Sequence, residues 1–232
     1  MPPFVLILIL GAFGVMAFLV WWFRRDAAIK RALRLYPLQR IAEVSEGDMV
    51  RVSGRLVYEG EEAPLQAPLS GRGCAAWRVL VQEYENRGRH GRWKTIVDES
   101  EASAFLLEDE SGVAWVKGAL EIATDLDARE GTGLFRGPSP ELEEFLLQRG
   151  HGTKGWIFNK RIRYREGAFE AGETVTVAGT AHWELDPSQV GQGYRDAGKR
   201  LRLEPLVDGR LMARSLPDGR LLATDDPSLA RR

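Results

Sequence analysis

The sequence predicts a mainly β domain, an OB-like or related small barrel elaborated by a short helix, behind one N-terminal transmembrane helix. Three observations carry this. Residues 2–23 form an apolar run without a charged side chain. Short segments of alternating apolar and polar residues then recur between glycine- and proline-bearing turns. Only one later stretch, 139–149, has clear helical spacing. The expected organisation is an anchor at 1–23, a basic juxtamembrane helix and linker at 24–44, a β-rich domain at 45–225 and a tail at 226–232.

The anchor reads PPFVLILILGAFGVMAFLVWWF. About 20 apolar residues at ~1.5 Å each span a hydrocarbon core of about 30 Å. A cleaved signal peptide needs a basic start, a shorter apolar core and small residues before the cut. This run has no Lys or Arg before it and ends in bulky aromatics. Trp21 and Trp22 stand where an aromatic belt sits, and Arg24 and Arg25 follow at the interface. Arg24, Arg25, Lys30, Arg31, Arg34 and Arg40 make the following flank basic. Positive flanks stay in the cytoplasm. The expectation is a single-pass protein held in the bilayer through residues 3–23, N-terminus outside, soluble domain cytoplasmic, its basic stretch near anionic headgroups.

Beyond the anchor, Ala27, Ala28, Ala32, Leu33 and Leu35 favour a continuing helix that Pro37 ends. Met49–Val57 alternates as a strand, with Gly54 a bend. Residues 59–73 read as a loop because of Pro64, Pro68 and their glycines. Cys74–Glu83 follows as a strand with Trp77, Val79 and Val81 on one face, 87–92 as a hairpin tip, and Trp93–Val97 as the return. Two short strands flank the acidic turn 108–112, where Gly112 permits a positive φ. Ser139, Pro140 and Glu141 start a helix whose Leu142, Phe145 and Leu146 share a face, and Gly150 stops it. Strands are expected at 160–165, 173–183, 201–206, 211–213 and 220–224, and the tail is expected to fray. One echo recurs: GDMVRVSG at 47–54 and GETVTVAG at 172–179. It fits duplicated half-barrels or the common opening of two barrel strands. The spacing fits one elaborated barrel or two.

Composition limits the chemistry. The net charge is −1 over 232 residues, which argues against nucleic acid as the main partner. Cys74 is the sole cysteine, so neither an intrachain disulfide nor a zinc site of several thiolates can form within one chain. The thiol fits burial at the start of an apolar strand. His90, His151 and His182 lack metal-ligand spacing, and Ser70-Gly71 lacks the context of a nucleophile elbow. No catalytic residue, metal or cofactor is expected. The candidate interaction surface is basic and aromatic: Arg87, Arg89, Arg92, Trp93 and Lys94 in one hairpin, and Trp156, Lys160 and Arg163 in another. Such surfaces hold single strands on OB-folds, rest on headgroups or meet proteins.

The ordered set Gly54, Pro64-Leu65, Ala67-Pro68-Leu69-Ser70-Gly71, Cys74, Trp77-Arg78 to Glu83, Trp93, Phe105 and Asp109-x-Ser111-Gly112-x-Ala114-x-Val116 resembles the GIDE, or beside-a-membrane (BAM), domain. Arg163-Tyr164-Arg165-Glu166 and Gly172–Gly179 continue the resemblance, which covers roughly residues 45–225. Eukaryotic members place this domain between two membrane helices and use a C-terminal RING to recruit a ubiquitin-conjugating enzyme. This sequence has no second apolar span and too few Cys and His for a RING. The resemblance therefore implies a RING-less relative of the E3 ubiquitin-ligase-related membrane proteins. It is expected to act as a scaffold toward another membrane or envelope protein. Ubiquitin transfer by family membership and a single-strand or lipid-surface binder are the alternatives.

Overall fold

The computed structural model describes residues 25–61, 63–87, 90–129, 139–151, 162–186, 198–207, 211 and 216–231. The predicted anchor 1–23, with Trp21 and Trp22, lies outside the described residues, as do Arg24, Arg89, Trp156 and Lys160. Among the described residues no helix is long and apolar enough to cross a membrane.

Helix α1 (Arg25–Leu33) opens the described chain, and α2 (Pro140–Gln148) lies far downstream. In chain order the strands are β1 (Met49–Val57), β2 (Leu65–Gln66), β3 (Gly73–Cys74), β4 (Ala76–Arg87), β5 (His90–Ala102), β6 (Phe105–Asp109) and β7 (Gly112–Val116). They continue with β8 (Leu120–Ala123), β9 (Asp127–Arg129), β10 (Ile162–Phe169), β11 (Thr174–Leu185), β12 (Lys199–Glu204) and β13 (Leu221–Thr224). The protein is mainly β.

Five strands close on themselves. β1 pairs with β6, β6 with β7, β7 with β12, β12 with β11, and β11 returns to β1. The β7–β12 pair is parallel and the others antiparallel. β13 adds to β11 and carries β8 in parallel beside it. A second, open sheet runs in the order β5-β4-β10-β9. Both of its halves are excursions from the ring, one between β1 and β6 and one between β7 and β11. The described chain therefore forms one closed barrel with an attached sheet, and the two alternatives left by the sequence reduce to this one.

Each layer has its own apolar core. Val50, Val52, Leu56, Phe105, Leu107, Val175 and Leu203 fill the barrel. Trp77, Val79 and Val81 share one face of β4, as alternation predicts, and pack with Leu142, Phe145 and Leu146 of α2. Ser139 caps α2, its hydroxyl accepting from Leu142 N–H.

The sequence echo has a structural meaning. The two copies, 47–54 and 172–179, lie against each other in the β1–β11 pair, and Val52 faces Val177, its own counterpart. Gly47 N–H donates to Ala181 O (2.8 Å) and Gly172 N–H to Leu56 O (2.9 Å). Ala181 N–H donates to Asp48 O and Leu56 N–H to Glu173 O. The bonds are reciprocal, so the copies form a local two-fold at the barrel seam. Gly47 and Gly172 take φ of 82° and 90°, and the second glycines serve close approach. A Cβ on Gly54 would stand 2.7 Å from Glu108 O, and one on Gly179 would stand 2.8 Å from Glu204 O.

Other expectations need correction. Gly112 does not take a positive φ; Ile41 packs over it, 3.1 Å from where a Cβ would stand. The helix after the anchor stops at Leu33, well before Pro37. Residues 37–39 then run beside β1, with Arg51 N–H donating to Pro37 O and Gln39 N–H to Arg51 O. The loop 59–73 holds a short ladder, Leu65 opposite Cys74. Between the acidic turn and the second helix the chain forms two further strands, β8 and β9. The tail is not frayed: Leu229 is buried beside Ile29, Leu33 and Tyr36, and Lys30 binds Asp226 at 2.8 Å. Within 25–44, Ile29, Leu33, Tyr36, Ile41 and Val44 are buried.

Two outcomes follow from these contacts. Gly54→Ala forces backbone against backbone and should cost ~1–3 kcal/mol, whereas Gly60→Ala, with open space around it, should be neutral; urea titration of the full chain in detergent compares them. The hydrogen bond from Lys30 holds the Asp226 carboxyl down at about 2. A depressed carboxylate contributes fully above its ordinary value near 4 and loses that contribution as pH falls toward 2. Asp226→Asn should therefore make stability less steep in pH over that window, read by the same titration across pH.

Candidate functional site: the hairpin arm and its base

β4 and β5 pair continuously from Ala76–Ala102 to Arg87–His90. β10 covers β4 only from Ala76 to Glu83. Among the described residues, β4 and β5 continue past that row as a two-stranded arm, longer than the tip read from the sequence. A bulge at Ile96, where the register shifts between Val81 and Gln82, starts the arm.

The arm joins residues that the sequence placed in separate hairpins. Because β10 pairs with β4, Arg163 lies opposite Gln82 and its guanidinium sits 4.3 Å from the centre of the Trp93 ring. Arg163 Nε donates to Gln82 Oε1 at 2.7 Å, and Gln82 donates to Thr95. Tyr84 meets Trp93 edge to face, centroids 5.3 Å apart. Trp93 remains among the exposed large apolar residues. On the opposite face Glu85 takes both Lys94 (3.2 Å) and Arg92 (3.5 Å), so part of the predicted cationic charge is neutralised within the arm. The side chain of Arg87 lies outside the described residues.

At the base of the arm is a web of charges that the sequence did not reveal. Arg78, 3% exposed, donates from Nε and Nη2 to the two oxygens of Asp98 (2.9 and 3.1 Å). Nη1 donates to Asp26 of α1 and to Ile122 O of β8 (3.2 Å). Arg25, expected at the membrane interface, binds Glu121 at 2.7 Å and Asp98 at 3.5 Å. Glu121, 1% exposed, also meets Arg220. Burial pulls the Asp98 carboxyl upward, but the hydrogen bonds and charge of Arg78, with Arg25, outweigh it and hold the group below the ordinary carboxylate range. The signal available in sequence was Arg78 itself, a cation among Trp77, Val79 and Val81.

The remaining candidates have structural duties. Cys74 is buried, and burial, with Glu166 and Glu170 nearby, pushes its thiol up to about 11, which keeps it protonated and unreactive. His182 Nδ1 lies 2.8 Å from Glu46, whose other oxygen accepts from Trp183 N–H. Asp109 accepts from Ser111, Gly112 and Ile41 N–H groups, so the acidic turn is a clasp for the 41–43 segment. One aromatic cluster escaped the sequence reading: Trp115 on the outer barrel wall, with Arg200 4.2 Å from its ring centre and Lys117 at 5.2 Å. Arg200 is already held by Glu184 at 2.6 Å. Among the described residues no His, Cys, Asp and Glu cluster is arranged to hold a metal ion.

No family model, curated protein or solved structure matches the chain.

The arm and its base should respond differently to mutation. Arg78→Met removes the buried cation, leaves Ile122 O and Asp26 without their donors and leaves Asp98 to Arg25 and solvent, and should cost about 1–3 kcal/mol. Arg163→Ala removes one partly exposed cation–π contact and should cost at most about 1 kcal/mol. Urea titration of the full chain in detergent distinguishes them.

Proposed function

We propose that this chain is a membrane-tethered, non-catalytic presentation module of the GIDE type, its soluble domain cytoplasmic and its role to offer a surface to another membrane protein. The observation that carries this reading is the packing of α1. Its apolar side, Ala28, Ile29, Ala32 and Leu33, is buried in the domain with Tyr36, Leu206, Leu222 and Leu229. Its polar side is pinned by Arg25–Glu121, Asp26–Arg78 and Lys30–Asp226. One residue separates α1 from the apolar run 2–23. A domain attached in this way holds a set orientation to its anchor, which suits presentation.

The ring supports an OB-like barrel. Numbered within the ring, its strands close as one, two, three, five, four and back to one, with three and five parallel. The usual ligand wall of such a barrel carries Trp115, here stacked with Arg200 and so occupied by the protein itself. The arm is the better presenting surface, since it extends past the described part of the sheet with Trp93 exposed.

Crosslinking and purification from native membranes tests the reading. The full chain should enrich a defined membrane protein, and reversing Arg92, Lys94 and Arg163 to Glu together should abolish that enrichment while the fold is retained. An identical set of captured proteins with and without the reversals would refute the arm as the presenting surface.

A further inference from the structure

We propose that Arg51, on the outer wall of the barrel, is the floor of a site for a phosphate group, entered through the cavity beside residues 38–40.

The guanidinium is placed there by the strand. Alternation along β1 turns Val50 and Val52 into the barrel and Arg51 and Ser53 outward. The segment 37–39 runs beside it. Arg51 N–H donates to Pro37 O (3.0 Å), and Gln39 N–H donates to Arg51 O (3.1 Å). These bonds satisfy the backbone and leave the side chain over. Arg51 Nε and Nη1 are closed to solvent, and among the described residues nothing accepts from them.

That arrangement is unlike the rest of the protein. Arg78 and Arg200, the fully buried arginines among the described residues, each bind carboxylates: Arg78 holds Asp98 and Asp26, and Arg200 holds Glu184. Arg51 instead feels a second cation, Arg34. Burial first, and then this like charge, pull its guanidinium below the ordinary arginine value. Arginine nevertheless stays charged in proteins, so an incoming anion relieves both the unused donors and the repulsion. Two guanidinium charges suit a phosphate better than the single charge of a carboxylate.

The way in is a cavity of about 320 Å³ whose wall includes Leu38, Gln39, Arg40, Ser53 and Ala230. Ser53 is the next outward residue of β1 after Arg51, and Gln39 is bonded to the Arg51 backbone, so Arg51 adjoins the wall that these two form. Gln39 Oε1 is buried without a donor, so turning this side chain breaks no bond of that oxygen and opens the guanidinium to the cavity. Ser53 Oγ accepts from the Thr176 hydroxyl (3.1 Å), which leaves its own hydrogen for a ligand oxygen. Two acids share the cavity. Asp109 is filled by the N–H groups of Ile41, Ser111 and Gly112, and Glu110 is exposed. Leu38 and Ala230 give the cavity an apolar wall, on which the organic part of a phosphate ester can lie.

The test titrates inorganic phosphate and glycerol 3-phosphate into the full chain in detergent at neutral pH, against chloride at matched ionic strength, and reads the thermal midpoint by tryptophan fluorescence. The proposal expects a saturable rise that chloride does not give. Arg51→Lys keeps the charge without the planar fork and should weaken binding about tenfold or more, as loss of one charge-assisted hydrogen bond does. Arg202→Gln, which removes an arginine held by Glu204 on β12 (3.0 Å), should respond as the wild type does. A larger rise with glycerol 3-phosphate supports the site and assigns it to an ester; a larger rise with inorganic phosphate supports it and assigns the free ion. No rise beyond chloride, or an undiminished rise in Arg51→Lys, overturns the site. An equal rise with acetate overturns phosphate in favour of a carboxylate ligand. If Arg51→Lys does not fold, the phosphorus NMR line of inorganic phosphate decides the matter: the wild type should broaden it and Ala230→Trp, which fills the cavity, should not. Equal broadening by both would overturn the site.

Discussion

Arg78 sits where the layers of the protein meet. Its guanidinium donates four hydrogen bonds: two to Asp98 in its own sheet, one to Asp26 of α1 and one to a carbonyl of β8. A charge this deep is tolerated only when its donors are paired, because the alternative is an unsolvated ion in an apolar interior. The constraint works in every direction. The helix cannot shift without unpairing Asp26, the open sheet cannot swing without unpairing Asp98, and β8 supplies the carbonyl between them. Arg25 and Glu121 continue the same web to Arg220 beside β13.

The apolar packing agrees with the charges. Ile29 and Leu33 are fully buried, and Leu229 covers them from the C-terminal side. Hydrophobic burial supplies most of the attraction, and the ion pairs select one orientation of the helix from the several an apolar stripe would accept. The barrel seam shows a comparable division of labour. Val52 and Val177 supply apolar contact, while Gly54 and Gly179 admit the neighbouring backbones that close the ring.

Elements with one wet face were legible in the sequence. β1 alternates between buried Val50, Val52 and Leu56 and more exposed neighbours, and its bounds match the predicted strand. α2 was legible from its cap and its i, i+3, i+4 apolar set. β8 was not, because Leu120, Glu121, Ile122 and Ala123 are all buried and leave no period to read. The tail was missed because a lone Leu229 gives no pattern, and its partner Ile29 is far away in sequence. The same limit hid the junction of the two basic segments. Trp93 and Arg163 were each visible as surface residues, yet only the β4–β10 register, an interaction between distant segments, brings the cation onto the ring. Arg78 was the converse case: its neighbours marked a buried strand, but the acids that make its burial possible come from α1 and β5.

The central claim is that α1 and the domain form one unit. Hydrogen exchange of the full chain in detergent or vesicles tests it directly, reading the backbone amides of residues 29–33 against those of β1. The account predicts that these helix amides exchange as slowly as the barrel strand, because releasing them requires opening the cluster around Leu33 and unpairing Asp26 from Arg78. Exchange of the helix at the rate of an undocked peptide, with β1 still protected, would contradict it.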